Sequence, residues 1–527
     1  MGLYTLKSLL DQGLPQSVFI FEREPQAGVG MPYRDEDNSR LMLANIASLE
    51  IPPLRCTYLD WLRARPAEAL RRFGINPATL HERQFLPRIL LGQYFRDQFL
   101  ALLTEAKARD IEIRVHESTE VADIEAGPAG VGLWVDGRRL PHDFDTVMLA
   151  TGHVWPQDDG HDRHFFPSPW SGLLEARLPA ARIGIMGTSL SAIDAAMAVA
   201  ARHGRFVADA GGGQTRFVPD RSAVTLKITL MSRSGLLPEA DFYCPMPYLP
   251  LQLATEEAIA LAINAGRKGL LDRVFGLIRQ ELQLADPDWC RQLKLAELDA
   301  DSFADAYFAD RLARDPFSWA MHNLAEVERN QRHHHTVPWR YAILRLHEAV
   351  EVIVSELELE DRQRFAEGLG KVFVDNYAAV PPESIRRLLA LRDAGVVSVL
   401  RLGPDYGIDI GPDHTWLDVG GIRHGFDVFI DARGQRPRRI RDLPFPRLRR
   451  QLQASAEDYP AVDEDYSLAA TVPTCARVAC GALPYLMHDR PFVQGLVAAA
   501  DIAAAMARLP WRKGSTRRRR QLRGAAD

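Results

Sequence analysis

Two glycine-containing turns, and the charged residues that follow them, are the parts of this sequence best suited to chemistry. The first lies near the start, where an amphipathic helix includes Gly2 and the apolar run 18–21 ends at Glu22. A dinucleotide-binding unit has an acidic residue about 20 positions after its glycines, where it accepts hydrogen bonds from ribose hydroxyls. Glu22 follows Gly2 by 20 positions. The spacing therefore predicts Gly2 as the last glycine of such a motif and Glu22 as the ribose ligand. An ordinary helix–strand pair with a surface glutamate is the alternative.

The second turn is Gly187-Thr188-Ser189, which follows the apolar run 183–186 and precedes an alanine-rich helix that includes Ser191. Backbone N–H groups at the start of a helix, aided by the helix dipole, bind phosphate groups. The pattern therefore predicts a second nucleotide site. Ser189 stands where a glycine is usual, so a tight structural turn is the alternative.

Three further strand ends extend this pattern. Arg233 follows the apolar run 226–231, and an arginine at this place accommodates the 2′-phosphate of NADP. We therefore expect NADP(H) to be preferred over NAD(H), with a surface arginine as the alternative. The runs 146–150 and 428–430 end in Ala150-Thr151-Gly152 and in a turn containing Gly434. Small residues there let the chain pass close to a dinucleotide.

The elements around these turns indicate an α/β protein. Short β-branched runs alternate with helical stretches, as in parallel sheets covered by helices. Residues 111–145 alternate with a period of two around Gly127-Pro128, which predicts a small antiparallel meander. Residues 252–395 have helical spacing of apolar residues throughout, which predicts a mainly helical insertion.

Bulk properties narrow the class of protein. A chain of 527 residues is expected to form two or three domains, and its net charge of -5 gives no attraction to nucleic acid. The five cysteines are sparse and form no CxxC pair, which favours a reducing compartment. No apolar run reaches the roughly 18 residues of a membrane helix, and the start does not resemble a signal peptide. We expect a cytoplasmic protein with a disordered basic tail at 510–527.

The chain closely resembles the FAD-NAD(P)-binding protein family and its YdhS-type branch. Five runs carry this resemblance, which extends from residue 1 to about 508, and they are 27–33, 41–46, 85–95, 150–156 and 481–496. It is more distantly similar to flavin monooxygenases with two dinucleotide domains. The resemblance implies FAD at the first motif and NAD(P)H at the second.

The same resemblance implies further FAD-binding residues. They are Gly28, Gly30, Met31 and Asn45 near the flavin, Arg88 in the run 85–95, Ala150, Thr151 and Gly152 near the adenine half, and Gly481 and Phe492 in the closing segment. In relatives a strand and a glycine loop precede the residue matching Gly2. We therefore expect Met1 to be an internal methionine or an artificial boundary, and whether the chain as given binds FAD is left open.

These observations predict a split arrangement of domains. An FAD-binding, Rossmann-like domain is divided into two segments, and an NAD(P)-binding, Rossmann-like domain is divided around the helical insertion. The expected limits are 1–182 and 441–509 for the FAD domain, 183–251 and 396–440 for the NAD(P) domain, 252–395 for the insertion and 510–527 for the tail.

The predicted function is an FAD-dependent oxidoreductase that uses NAD(P)H, with monooxygenation of a small polar metabolite favoured. A reductase with another electron acceptor is one alternative, and a non-catalytic nucleotide sensor or scaffold is another. His153 and His488 are candidates for proton transfer, with a structural polar contact as the alternative for each. No metal site is expected, because neighbouring side chains of His333-His334-His335 do not share a helix face. The substrate and the oligomeric state are not readable from the sequence.

Overall fold

The computed structural model describes residues 1–13, 17–36, 38–153, 164–208, 215–493 and 495–509. Its first part combines helices with three small sheets. The elements are α1 (Gly2–Asp11), β1 (Ser17–Phe21), α2 (Tyr58–Arg63), α3 (Ala67–Arg71), α4 (Arg88–Ala108), β2 (Glu112–His116), β3 (Val121–Ala126), β4 (Val131–Val135), β5 (Arg138–Arg139) and β6 (Val147–Leu149).

The predicted meander is correct for β3, β4 and β5, which pair antiparallel in chain order. It is wrong for residues 111–115, because β2 pairs in parallel with β1 from Ser17 opposite Glu112 to Phe21 opposite His116. The predicted alternation is nevertheless present, since β2 alternates between exposed and partly buried residues. Alternation reports a half-buried strand but not the direction of its neighbour.

The second part begins a larger sheet and leads into a long helical region. Its first elements are β7 (Phe165–Phe166), β8 (Arg182–Met186), α5 (Leu190–Ala200), β9 (Gly204–Ala208), β10 (Thr215–Pro219) and β11 (Lys227–Ser232). Nine helices follow, namely α6 (Glu256–Asn264), α7 (Leu270–Ala285), α8 (Pro287–Leu293), α9 (Phe303–Leu312), α10 (Pro316–His333), α11 (Pro338–Glu351), α12 (Leu359–Glu367), α13 (Leu369–Tyr377) and α14 (Pro382–Asp393).

The last part returns to both earlier units. Its elements are β12 (Val397–Arg401), β13 (Tyr406–Ile410), β14 (Thr415–Val419), β15 (Ile422–Phe426), β16 (Val428–Asp431), α15 (Pro446–Leu452), β17 (Val478–Cys480) and α16 (Gly495–Met506). Strand β17 pairs in parallel with β6, and α16 packs on α1. The closing segment therefore completes the first unit.

The larger sheet is parallel and has the strand order β12-β11-β8-β16-β7. From the central β8 the chain adds β11 and β12 on one side and then β16 on the other. A doubly wound sheet reverses in this way at a switch point, and ligands bind outside the carboxyl ends of the strands there. The switch point lies between β8 and β16.

The helical region interrupts the crossover between β11 and β12, and α14 packs against β12 and completes that crossover. The insertion has its own core, whose largest fully buried side chains include Phe303 and Phe373. The predicted α/β fold with a mainly helical insertion is confirmed. Over the described residues, none of the helices is both long and apolar enough to cross a membrane.

Candidate functional site

The turn after β8 lies at the switch point of the doubly wound sheet. Gly187 has φ +136, and a Cβ atom there would lie 2.8 Å from the carbonyl oxygen of Ala432, just after β16. Its backbone N–H donates to the carbonyl of Met231 over 2.7 Å. A side chain at this position would therefore meet backbone that cannot move aside freely, and only glycine fits without strain.

The helix that follows presents free backbone N–H groups to the same crevice. The first intrahelical bond of this turn runs from Ile193 N–H to the carbonyl of Ser189 over 2.9 Å, so the amides just before Ile193 have no partner within the helix. Ser189 is exposed and does not cap the helix with its side chain. The hydroxyl of buried Thr188 donates to Ser232 over 3.2 Å. Ser191, which is partly buried, occupies the second position of the helix. This arrangement suits a dinucleotide pyrophosphate.

Arg233 is exposed immediately beyond the last residue of β11. Its backbone carbonyl accepts a hydrogen bond from Gly403 over 3.0 Å, which fixes the strand end. Gly434 lies beyond β16 with φ +83 and open space where a Cβ would stand. Thus Gly187, Arg233 and Gly434 all lie at the carboxyl edge of one sheet.

The first nucleotide motif is built from three chain segments. Gly2, the first residue of α1, lies against Ala150 with 3.5 Å between the Cβ positions. Gly481 donates its N–H to the carbonyl of Leu149 over 2.9 Å, and a Cβ on Gly481 would meet Met506 at 2.8 Å. Gly152 has φ +68 with no neighbouring atom within 4 Å of a Cβ position, and Thr151 is exposed. The structure brings the predicted residues of these segments together.

Glu22 lies directly beyond β1. Its backbone N–H donates to His116 over 2.9 Å, and its carboxylate accepts a hydrogen bond from the N–H of Glu24 over 3.0 Å. Burial raises the pKa of the Glu22 carboxyl, because the charged form has lost contact with water. A partly buried carboxylate at a strand end fits the two hydroxyl groups of a ribose.

The segment expected near the flavin is ordered around two glycines. Gly28 has φ +85, and a Cβ there would lie 2.6 Å from Phe99 of α4. Gly30 has φ +83 and precedes the short helical turn that begins at Met31. Asn45 has a buried Oδ1 atom that has no hydrogen-bond partner among the described residues. Such an orphaned acceptor fits a ligand donor.

Arg88 has a partner that the sequence did not indicate. Its guanidinium forms an ion pair with Asp194 of α5 at 2.7 Å, and both side chains are nearly buried, at 14% and 10% exposed. It also donates to the carbonyl of Leu43 over 3.1 Å. Burial raises the pKa of Asp194 and Arg88 lowers it. Arg88 therefore joins the two nucleotide-binding units, and its role as a cofactor ligand stays a prediction.

Phe492 lies among aromatic side chains of the helical insertion. Its ring is 5.7–6.1 Å from those of His347, Phe365, Phe373 and Tyr377. These contacts fix the closing segment on the insertion. A contact between Phe492 and the flavin stays a prediction.

The two candidate histidines differ in their surroundings. Arg362 donates to Nε2 of His488 over 2.7 Å, and the His488 ring stacks on Tyr459 with centroids 3.8 Å apart. Because a guanidinium only donates, this nitrogen carries no proton, and burial lowers the pKa of His488. Burial also lowers the pKa of His153. The structure thus gives His488 the polar contacts of a structural residue.

The first unit and the loop after β11 together form a cluster of ionisable side chains, Glu50, Arg83 and Asp241, that the sequence does not indicate. Burial, together with the charge of nearby Glu50, raises the pKa of Asp241 to about 8, and Arg83 opposes this shift. Arg83 donates to the carbonyl of Cys244 over 3.0 Å. No local sequence pattern marks Glu50 or Arg83, because only folding brings these two residues close to the loop.

Glu239, in the same loop, is a structural residue instead. Trp319 donates to it over 3.1 Å and Arg340 forms an ion pair with it at 3.3 Å. In the described parts of the chain, no cluster of three or more histidine, cysteine, aspartate or glutamate residues could hold a metal ion. Three segments lie outside the described residues. They are the basic tail, residues 154–163 after His153, and the glycine-rich loop at 211–213.

Comparison with known proteins agrees with this geometry. The family model described as FAD-NAD(P)-binding matches residues 1–154, and the model described as YdhS-like middle domain matches residues 255–377. Protein YdhS of Escherichia coli (strain K12) is 55% identical over 519 residues, which cover 98% of this chain and 97% of the relative.

Solved structures with a similar fold include an ornithine N-hydroxylase from Kutzneria sp. 744 with reduced FAD, NADP+ and L-ornithine. It is 16% identical with a TM-score of 0.50, and the match covers 97% of both chains. An L-lysine 6-monooxygenase from Pseudomonas syringae is 12% identical with a TM-score of 0.48, covering 96% of this chain and 95% of that one. At this identity the likeness concerns the fold.

Proposed function

Because the chain belongs to the YdhS-like family of FAD-NAD(P)-binding proteins, we propose that it is an FAD-dependent oxidoreductase that takes its electrons from NADPH. The observation that carries this proposal is the turn at Gly187, which lies at the switch point of a complete doubly wound sheet. The exposed start of α5 binds the pyrophosphate there, and Arg233 binds the 2′-phosphate.

The first unit holds the second dinucleotide in this proposal. Gly2, Ala150 and Gly481 converge where backbone must approach a cofactor closely, and Glu22 accepts hydrogen bonds from a ribose. A bound FAD supplies electron-transfer chemistry that no side chain of this protein can perform. The side chains of the protein bind and orient the cofactors, and they exclude water from the site.

We favour monooxygenation of a small polar metabolite, which binds beside the ionisable cluster of Glu50, Arg83 and Asp241. Carboxyl and guanidinium groups there offer both acceptors and donors to a polar molecule. All five cysteines are free thiols, which suits a reducing compartment such as the cytoplasm. The reaction partner in this proposal is the small polar metabolite.

Glu22→Ala tests the FAD half of the proposal. The variant loses charge-assisted hydrogen bonds, each of which contributes about 1.5–3 kcal/mol. We expect it to retain much less flavin after desalting than the unsubstituted chain, as measured by flavin absorbance per protein. Glu112→Ala, on the exposed end of β2, is the matched control. Equal flavin content in both variants would remove Glu22 from the site.

The dependence of turnover on oxygen distinguishes the proposed monooxygenase from a reductase and from a sensor. We expect NADPH consumption in air to rise when the right polar metabolite is added, and mass spectrometry to show that metabolite with one added oxygen atom. A reductase would instead pass electrons to an added acceptor without oxygen. A sensor would bind nucleotide and show no turnover with either, which would contradict the enzymatic proposal.

A further inference from the structure

A second arginine lies at the same sheet edge as Arg233. Arg401 is the last residue of β12, the strand next to β11, and it stands in register with Ser232. Neighbouring strands are about 5 Å apart, so Arg401 and Arg233 begin close together. Both side chains are exposed.

The direction of Arg401 follows from the pairing of the two strands. Residues in register point to the same face of a sheet, and the Ser232 hydroxyl on that face meets Thr188 of the glycine turn. Arg401 therefore leaves the sheet on the side of the pyrophosphate-binding turn. Gly235, with φ +70, packs so closely that a Cβ there would lie 2.9 Å from the Cβ of Arg401. This contact fixes the base of the Arg401 side chain.

Within the described part of the chain, the charges of these two arginines are not neutralised. Neither guanidinium has a hydrogen-bond or ion-pair partner among the residues that the structure describes. Arg433, beyond the neighbouring strand β16, differs because it pairs with Asp431. Two unpaired positive charges therefore flank the place where the adenosine ribose of a dinucleotide lies in this fold.

We propose that Arg401 and Arg233 together bind the 2′-phosphate of NADP(H), so that Arg401 is a second residue that selects the coenzyme. Arg401 stands in register with Ser232 and Arg233 follows Ser232 in the chain, so both side chains begin at one sheet edge. Guanidinium groups bind phosphate oxygens in a bidentate way, and two of them satisfy more oxygens than one. The inference rests on the proposed function, since it assumes that the nucleotide binds at Gly187.

Titration calorimetry with NADP+ and NAD+ tests this inference on the full chain. We expect Arg401→Ala to weaken NADP+ binding about ten- to a hundredfold while NAD+ binding stays nearly unchanged. Arg401→Lys keeps the charge but not the bidentate geometry, so it should restore part of the loss. Arg233→Ala should act alike, and the double variant should bind the two coenzymes equally. Arg279→Ala, which removes an exposed charge on α7, should change neither affinity.

Different failures have different meanings. Loss of NADP+ and NAD+ affinity in equal proportion would show that Arg401 only supports the fold, and unchanged affinity for both coenzymes would show that it does not touch the phosphate. Either result overturns the inference and leaves the proposed function intact. If the unsubstituted chain bound neither coenzyme, the proposed function would fail together with the inference.

Discussion

The backbone at Gly187 leaves room for no side chain. Its φ of +136 and the 2.8 Å approach of a Cβ to the Ala432 carbonyl combine strain with a clash against backbone. We expect Gly187→Ala to cost about 1–3 kcal/mol of stability and to weaken NADP+ binding at least tenfold, because the turn must move away from the start of α5. Thermal unfolding and coenzyme titration measure the two effects.

Gly137→Ala is the control for strain alone. Gly137 has φ +72, but no atom lies within 4 Å of its Cβ position, and it belongs to the turn between β4 and β5. We expect this variant to lose stability while it binds NADP+ normally. If Gly187→Ala also bound NADP+ normally, the turn would not be the nucleotide site.

Asp241 makes stability depend on pH. Its pKa rises from 3.8 to about 8 because of burial, so the folded protein binds a proton that the unfolded chain releases near pH 4. The stability associated with this group is complete below the unfolded pKa and is lost as pH rises to about 8, by at most about 1.4 kcal/mol per pH unit. We expect Asp241→Asn to reduce the fall in melting temperature between pH 5 and pH 8. Asp418→Asn, on exposed β14, should leave that fall unchanged, and an equal fall in all three proteins would contradict the burial of Asp241.

At the scale of elements, the ion pair between Arg88 of α4 and Asp194 of α5 joins the two nucleotide-binding units. Both partners are largely buried, so removal of one leaves a charge without compensation. We expect Arg88→Met or Asp194→Leu alone to cost about 3–5 kcal/mol, and the double variant to recover most of that loss. Chemical denaturation of the four proteins measures the coupling.

The exposed pair formed by Arg72, just after α3, and Glu68 of α3 provides the comparison. Its side chains are 70% and 78% exposed, and such pairs contribute about 0–1 kcal/mol. Removal of either partner should therefore change stability little. A cost for Arg88→Met no greater than for Arg72→Met would show that the contact between α4 and α5 is not important for stability.

At the scale of the whole molecule, the sequence predicted what depends on contiguous residues. The turn at Gly187, the strand before Glu22 and the helical insertion each produce a local pattern, and the alternation of elements indicates the α/β class. The direction of β2 was missed because alternation carries no information about the neighbouring strand. The Arg88–Asp194 pair and the ionisable cluster at Asp241 were missed because their members come from distant segments that only folding brings together.

The insertion shows the same limit for long-range contacts. Its helical spacing was readable, but its contacts with the closing segment were not. Phe492 packs into the aromatic cluster of the insertion, and Arg362 of α12 bonds to His488. The insertion thus connects the crossover of one nucleotide-binding unit to the end of the other, which suits a protein in which two cofactors must lie in fixed relation.

The central claim is that this chain passes electrons from NADPH to a bound FAD, and anaerobic titration tests it most directly. Stepwise addition of NADPH to the FAD-loaded chain, without oxygen, should bleach the flavin absorbance with one NADPH consumed per flavin. NADH should require a higher concentration, because it lacks the phosphate that Arg233 binds. A flavin that stays oxidised in excess NADPH, or a chain that holds no flavin under conditions where it is folded, would contradict the account.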